Sequence, residues 1–203
     1  MYFLDSPATF MLMVVTVLVS GYALHSRPDL METLAFRPRR VRDNNEYYRL
    51  GTAWLVHVGI GHLALNLFTL YFFGRALEAM LGTAAFLVIF FVSELAANGM
   101  TFWLRRDSPS YASVGASGAV SGVLFAFALY RPLDLIYVFA ALPIPAWLFA
   151  ILFVVLSIAA MKRPGGQGGI AHEAHLGGAL GGILAAFAMN PSVFGIFFGR
   201  LGF

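Results

Sequence analysis

The chain alternates long apolar runs with short polar ones, and a helix needs about 20 apolar residues to cross a hydrocarbon core about 30 Å thick. Six runs of that order stand out, at about 8–24, 54–73, 84–104, 114–130, 135–160 and 171–189. They predict an all-α, polytopic membrane protein with six transmembrane helices, and a last apolar tail at 193–203 that is too short to cross. Pro143 and Pro145 lie inside the fifth run. Proline lacks the donor that the helical ladder needs, so this run is expected to be kinked or locally unwound there. The glycine-rich stretch from Lys162 to Gly169 is expected to be a mobile loop. No internal repeat is visible, so the chain reads as one membrane domain over 1–203 with its core at 47–190.

Composition supports the same picture. Hydrophobic residues make up 60% of the chain and charged ones 11%, with a mean hydropathy of +0.79. A soluble domain carries about 25% charged residues, so much of this surface must face lipid. The 13 basic and 10 acidic residues gather in the short stretches between runs. That is the distribution of loops at a bilayer face, not of a nucleic-acid patch, and no nucleic-acid partner is expected. With no cysteine present, disulfides, thiolate metal sites and cysteine nucleophiles are excluded. Asp5 is the one charged residue among the first seven. The positive lead of a signal peptide is missing, and the first run reads as retained.

Strongly polar side chains within a span cost about 2.5–3.5 kcal/mol each near the bilayer centre, so each asks for a reason. They are His62, Asn66, Glu94, Asn98, Ser117 and His175. His62 and Asn66 are spaced i, i+4, which places them on one helix face in a shared hydrogen-bond network. His57 falls off that face and reads equally as a packing histidine. Glu94 and Asn98, also i, i+4, read as a structural brace. Ser117 opens the fourth run within Gly115-Ala116-Ser117-Gly118, where free N–H groups of a first helical turn favour a developing oxyanion. Taken alone it reads as well as an N-cap serine in a small-residue packing motif, Gly118-x-x-x-Gly122. The sixth run carries the pairs Gly177/Gly181 and Gly178/Gly182, which allow near backbone-to-backbone packing, most naturally on the glycines of the fourth run. That packing would carry His175 toward Ser117, and a serine in reach of a histidine is the minimum equipment for nucleophilic catalysis. The histidines of His172-Glu173-Ala174-His175 are three apart, not the four of a zinc HExxH site. No metal or other cofactor is expected.

Together these residues resemble the rhomboid family of intramembrane serine proteases, over about Tyr47 to Gly182. His57-x-x-x-x-His62-x-x-x-Asn66 followed by Leu70-Tyr71-Phe72-Phe73-Gly74, then Gly115-Ala116-Ser117-Gly118, then Ala174-His175-Leu176-Gly177-Gly178 occur in the family's order. Arg49 and Glu78 fall where the family has a loop arginine and a structural glutamate. The resemblance implies a six-helix rhomboid-like bundle with a Ser117–His175 dyad below the membrane surface, and an oxyanion hole of His62, Asn66 and the Ser117 N–H. His57, Gly115, Gly118, Gly178, Arg49 and Glu78 would then be supporting residues. It also implies single-span transmembrane proteins as substrates, reaching the site between the second and fifth spans. The protein would be a monomer or weak oligomer in the bilayer of a bacterial inner membrane. Ser121 stands where many rhomboids carry an aromatic residue stacked on the histidine. That leaves open how His175 is held and whether His172 serves as the base.

Orientation divides the signals. With the N-terminus inside, as the family form implies, the inner loops hold Arg75, Arg131 and Arg200. The outer ones hold Arg27, Arg37, Arg39, Arg40, Arg42, Arg49, Arg105, Arg106, Lys162 and Arg163, the reverse of the positive-inside bias. Two rival readings remain: a non-cleaving rhomboid-like protein that binds transmembrane helices, and a small transporter or proton relay built on the intramembrane histidines and Glu94.

Overall fold

A computed structural model describes residues 5–138, 141–161 and 171–203. The loop expected at 162–169 lies outside the described residues. Helix α1 (Pro7–His25) opens on a proline, whose missing N–H would have had no partner in a first turn. The next two free donors are met from another part of the chain. Glu78 accepts the N–H groups of Ala8 and Thr9 at 3.0 and 2.8 Å, and also the hydroxyls of Thr9 and Thr83 at 2.7 and 2.8 Å. A buried carboxylate is thus fully hydrogen-bonded while it caps α1.

Short helices α2 (Asp29–Leu34) and α3 (Pro38–Asn44) follow α1. Arg49 is only 1% exposed. Its guanidinium bonds Glu46 at 2.5 Å and the carbonyls of Glu32 and Ala35 at 2.9 and 2.7 Å, which ties this loop down. The hydrogen bond from Arg49 holds the Glu46 carboxyl below the ordinary carboxylate range.

The second apolar run is less regular than its pattern predicts. A short 3₁₀ turn (Ala53–Leu55) and an extended piece precede α4 (Ile60–Thr69), so the helix begins about six residues late. It then passes through a wide π turn (Leu70–Gly74) into α5 (Arg75–Leu81). Val56 and His57, fully buried, are committed to tertiary contacts instead of a helical turn.

Three helices form the centre: α6 (Thr83–Arg105), α7 (Ser117–Tyr130) and α9 (His172–Met189). Every residue of α7 after Ser117 is buried, so this helix meets protein rather than lipid and need not match the bilayer in length. The glycines of α9 work on two faces. A Cβ at Gly178 or Gly182 would overlap the backbone of Gly118 or Gly122 on α7. A Cβ at Gly177 or Gly181 would press on Ala96 of α6, at 2.7 Å from its carbonyl oxygen and 2.6 Å from its Cβ. The two glycine pairs therefore do not share the fourth run as partner; only Gly178/Gly182 meets α7.

The expectation of an all-α chain is corrected at the fifth run. Residues Leu135–Val138 and Leu142–Pro145 form an antiparallel hairpin, β1 and β2, with Pro143 opposite Tyr137 and Pro145 opposite Leu135. Both prolines sit in the second strand, where no helical donor is required of them, so they do not kink a helix. Helix α8 (Ala146–Met161) begins only after them, and buries little beyond Ala146 and Ser157. Helix α10 (Val193–Leu201) turns away from α9 by 105°. By length and apolarity, α1 and α6 can each cross a membrane, with α9 and α10 a third if the bent pair is one span.

The glycine contact predicts a graded response. Gly178→Val should lower unfolding stability by about 3 kcal/mol or more by overpacking, whereas Gly195→Ala, with open space at its Cβ, should leave it unchanged. Thermal unfolding of the full chain in detergent reads both.

Candidate active site

Ser117 is the first residue of α7, reached through a loop that the rest of the fold holds at each step. Gly115 has φ +108°, a conformation open mainly to glycine. A side chain there would also lie 2.5 Å from Cε1 of His62, so the glycine makes room for the imidazole. The Gly115 N–H bonds the Ala53 carbonyl at 2.9 Å. The next N–H, of Ala116, donates to His57 Nε2 at 3.3 Å.

That last bond fixes the state of His57. Since Nε2 accepts, the ring is neutral and its proton is on Nδ1, which donates to Ser20 Oγ at 2.9 Å. Ser20 in turn donates to the Leu55 carbonyl at 2.8 Å. Four groups from α1, the 53–57 segment and the serine loop thus satisfy one another in a single chain of hydrogen bonds.

His175 stands one turn into α9, with Nε2 2.8 Å from Ser117 Oγ. His172 presents its ring edge-on to His175 at 6.0 Å and makes no bond to the serine. The structure therefore pairs Ser117 with His175, as the glycine packing predicts. Among the described residues no carboxylate bonds the His175 ring. Phe153 of α8 lies against it instead, ring centres 5.9 Å apart and planes at 37°, and is itself backed by Phe125 at 5.5 Å. An aromatic neighbour thus exists despite Ser121, whose hydroxyl bonds the Ser117 carbonyl at 2.7 Å.

His62 packs edge-to-face on His57 at 5.0 Å and lies over Gly115, two residues before the serine. Asn66 is buried, and its amide donates to the His62 carbonyl at 3.0 Å. The pair meets through backbone, not through both side chains as the i, i+4 spacing suggests. Glu94 and Asn98 act as the expected brace: Asn98 donates to Glu94 at 2.8 Å and to the Leu50 carbonyl at 2.9 Å. The Glu94 carboxyl also lies beside the backbone of Trp54 and of Ala119 in the first turn of α7.

A search of protein-family models matches the Rhomboid domain over residues 44–192. Rhomboid protease GluP of Bacillus subtilis is 34% identical over 77% of this chain. Rhomboid protein 1, mitochondrial, of Saccharomyces cerevisiae is 32% identical over 68%, and RHOMBOID-like protein 12, mitochondrial, of Arabidopsis thaliana is 28% identical over 65%. The chain belongs to the rhomboid family. This rhomboid is an integral membrane protein, and its matches cover 29%, 40% and 43% of the length of those three relatives.

Two residues that meet the candidate site had no signal in the sequence. Phe153 lies in a run of apolar residues with nothing to single it out, and Ser20 is a small polar residue in the first span, 37 positions from His57.

His57→Ala should leave the buried Ala116 N–H without an acceptor and open a cavity, while Ser20 Oγ keeps its bond to Leu55, at a cost of about 3 kcal/mol. Thermal unfolding would read that loss, and Ser20→Ala, which removes only the far end of the chain, should cost less.

Proposed function

We propose that the protein is an intramembrane serine endopeptidase that cuts transmembrane segments of single-span membrane proteins with a Ser117–His175 dyad. The observation that carries this reading is the 2.8 Å hydrogen bond between His175 Nε2 and Ser117 Oγ at the first turn of a buried helix. Ser117 attacks the scissile carbonyl while His175 takes its proton and then passes it to the leaving amine. The developing oxyanion is met by the Ser117 N–H, His62 and Asn66. An asparagine amide has two N–H donors, and one on the His62 carbonyl leaves the second for the substrate.

The depth of the site follows from helix length. At 1.5 Å per residue the 14 residues of α7 span about 21 Å, roughly 9 Å short of the hydrocarbon core. This supports a serine below the membrane surface; the six spans of this reading are α1, α4 with α5, α6, α7, α8 and α9. The sparse burial of α8 supports substrate access between it and α4. A bacterial plasma membrane is the location in this reading, and the relatives include both a Bacillus rhomboid protease and mitochondrial rhomboid proteins.

Reconstituted in liposomes with a transmembrane substrate, the wild type should cleave and should react with a fluorophosphonate; Ser117→Ala should do neither. Labelling at Ser117 without cleavage would mean a competent site presented with the wrong substrate. Absence of both would favour a protein that binds transmembrane helices without cutting them. Phe153→Ala should lower kcat about threefold to tenfold with KM little changed, from the loss of one ring contact, and Phe153→Tyr should restore it.

A further inference from the structure

The end of the bundle that carries Ser117 has a second concavity, outside the dyad and separate from it. It is a cleft of about 340 Å³ between α3 and the loop after α6, lined by Arg37, Arg39, Arg40, Asn44 and Tyr111, with Asp43 as its carboxylate. A volume of that size is at the lower end of small-ligand sites.

The donors of this cleft exceed its acceptors. Arg37 spends one terminal nitrogen on Glu32, but its Nε is buried without a hydrogen-bond partner. Tyr111 Oη is likewise buried and makes no hydrogen bond, with Glu173 and Ser113 as its polar neighbours. Arg40 reaches Glu32 and Glu46 only at 3.7 and 3.9 Å, too long for hydrogen bonds. Asp43 does not redress the balance, because it already takes Arg42 at 2.7 Å and Arg39 at 3.2 Å. The guanidinium of Arg105 stands over the Tyr111 ring at 5.5 Å and is itself paired with Glu173 at 2.7 Å, so the free donors of the cleft are those of Arg37, Arg39 and Arg40. Within the described residues the loops of this end hold eight arginines against six carboxylates: Asp29, Glu32, Asp43, Glu46, Asp107 and Glu173. Internal pairing therefore cannot neutralise them all.

The setting identifies the anion. Tyr47 and Tyr48, shortly after α3, are 62% and 48% exposed, and Trp103, two residues before Arg105, is 70% exposed. Exposed tyrosine and tryptophan beside arginine mark the level of the lipid headgroups. We propose that this cleft binds the phosphate of an anionic phospholipid headgroup, with Arg37 Nε and Tyr111 Oη as buried donors and Arg39 and Arg40 as the outer clamp. A phosphate offers acceptors in the fork geometry that guanidinium groups match, and arginine is drawn to an anionic membrane surface. The proposal is independent of the proteolytic reading, since nothing in it requires Ser117 to react.

Native mass spectrometry of the full chain, with phosphatidylglycerol or phosphatidylcholine added to the detergent, tests it. The wild type should retain phosphatidylglycerol in preference to phosphatidylcholine. Arg39→Gln combined with Arg40→Gln should bind it about thirtyfold more weakly. Tyr111→Phe removes one hydroxyl only and should weaken retention without altering the thermal unfolding temperature, so the test survives if the double variant folds poorly. Equal retention of phosphatidylglycerol by wild type and variants would overturn the cleft as its site. Stabilisation by inorganic phosphate, with no preference between the two lipids, would overturn the lipid assignment and leave a soluble-anion site.

Discussion

The arrangement depends on one close approach, that of α9 to α7 at Gly178 and Gly118. Ser117 is adjacent to Gly118, and His175 is one helical turn before Gly178 on the same face. The backbone contact that a Cβ at residue 178 would abolish is therefore also what sets the Ser117–His175 separation. Lipid chains give apolar helices little reason to prefer one another over the bilayer. Small residues supply the missing drive by letting backbones touch. Gly177 and Gly181 do the same toward α6, so α9 is held on two sides and His175 inherits that rigidity.

Around this centre, buried polar side chains serve the backbone before they serve one another. Glu78 takes the first free N–H groups of α1, His57 takes the Ala116 N–H, and Arg49 takes two carbonyls of the α2 region. Each lies where water cannot make up a missing bond, so an orphaned backbone group would be costly. The result is that the loop before Ser117 is pinned at successive residues, Gly115 and Ala116, by groups from the 53–57 segment. The serine proposed as nucleophile therefore follows two residues that are each hydrogen-bonded to that segment.

The same economy explains why α8 differs. It is joined to α7 through the β1–β2 hairpin, buries little of its surface, and still provides Phe153 to the His175 ring. A helix that buries little of its surface is thus in contact with the group proposed as the base. The arginine-rich loops have a separate role at the bilayer face, where their charge exceeds what the protein neutralises.

The sequence by itself determined the apolar runs, the serine and histidine motifs, and the glycine spacing that required close helix packing. These are legible because hydropathy, helical period and small-residue spacing are local properties. It could not separate a strand from a helix in 135–145, since an apolar run of that length fits both, nor place the start of α4 at Ile60, which tertiary contacts of Val56 and His57 decide. The motif already favoured His175 over His172; only the tertiary structure set its Nε2 2.8 Å from Ser117 Oγ, brought Phe153 against the His175 ring, and joined Ser20 to His57. Those choices depend on which side chains of distant segments face the same point, and that is fixed by how the helices rotate and pack, which no local pattern records.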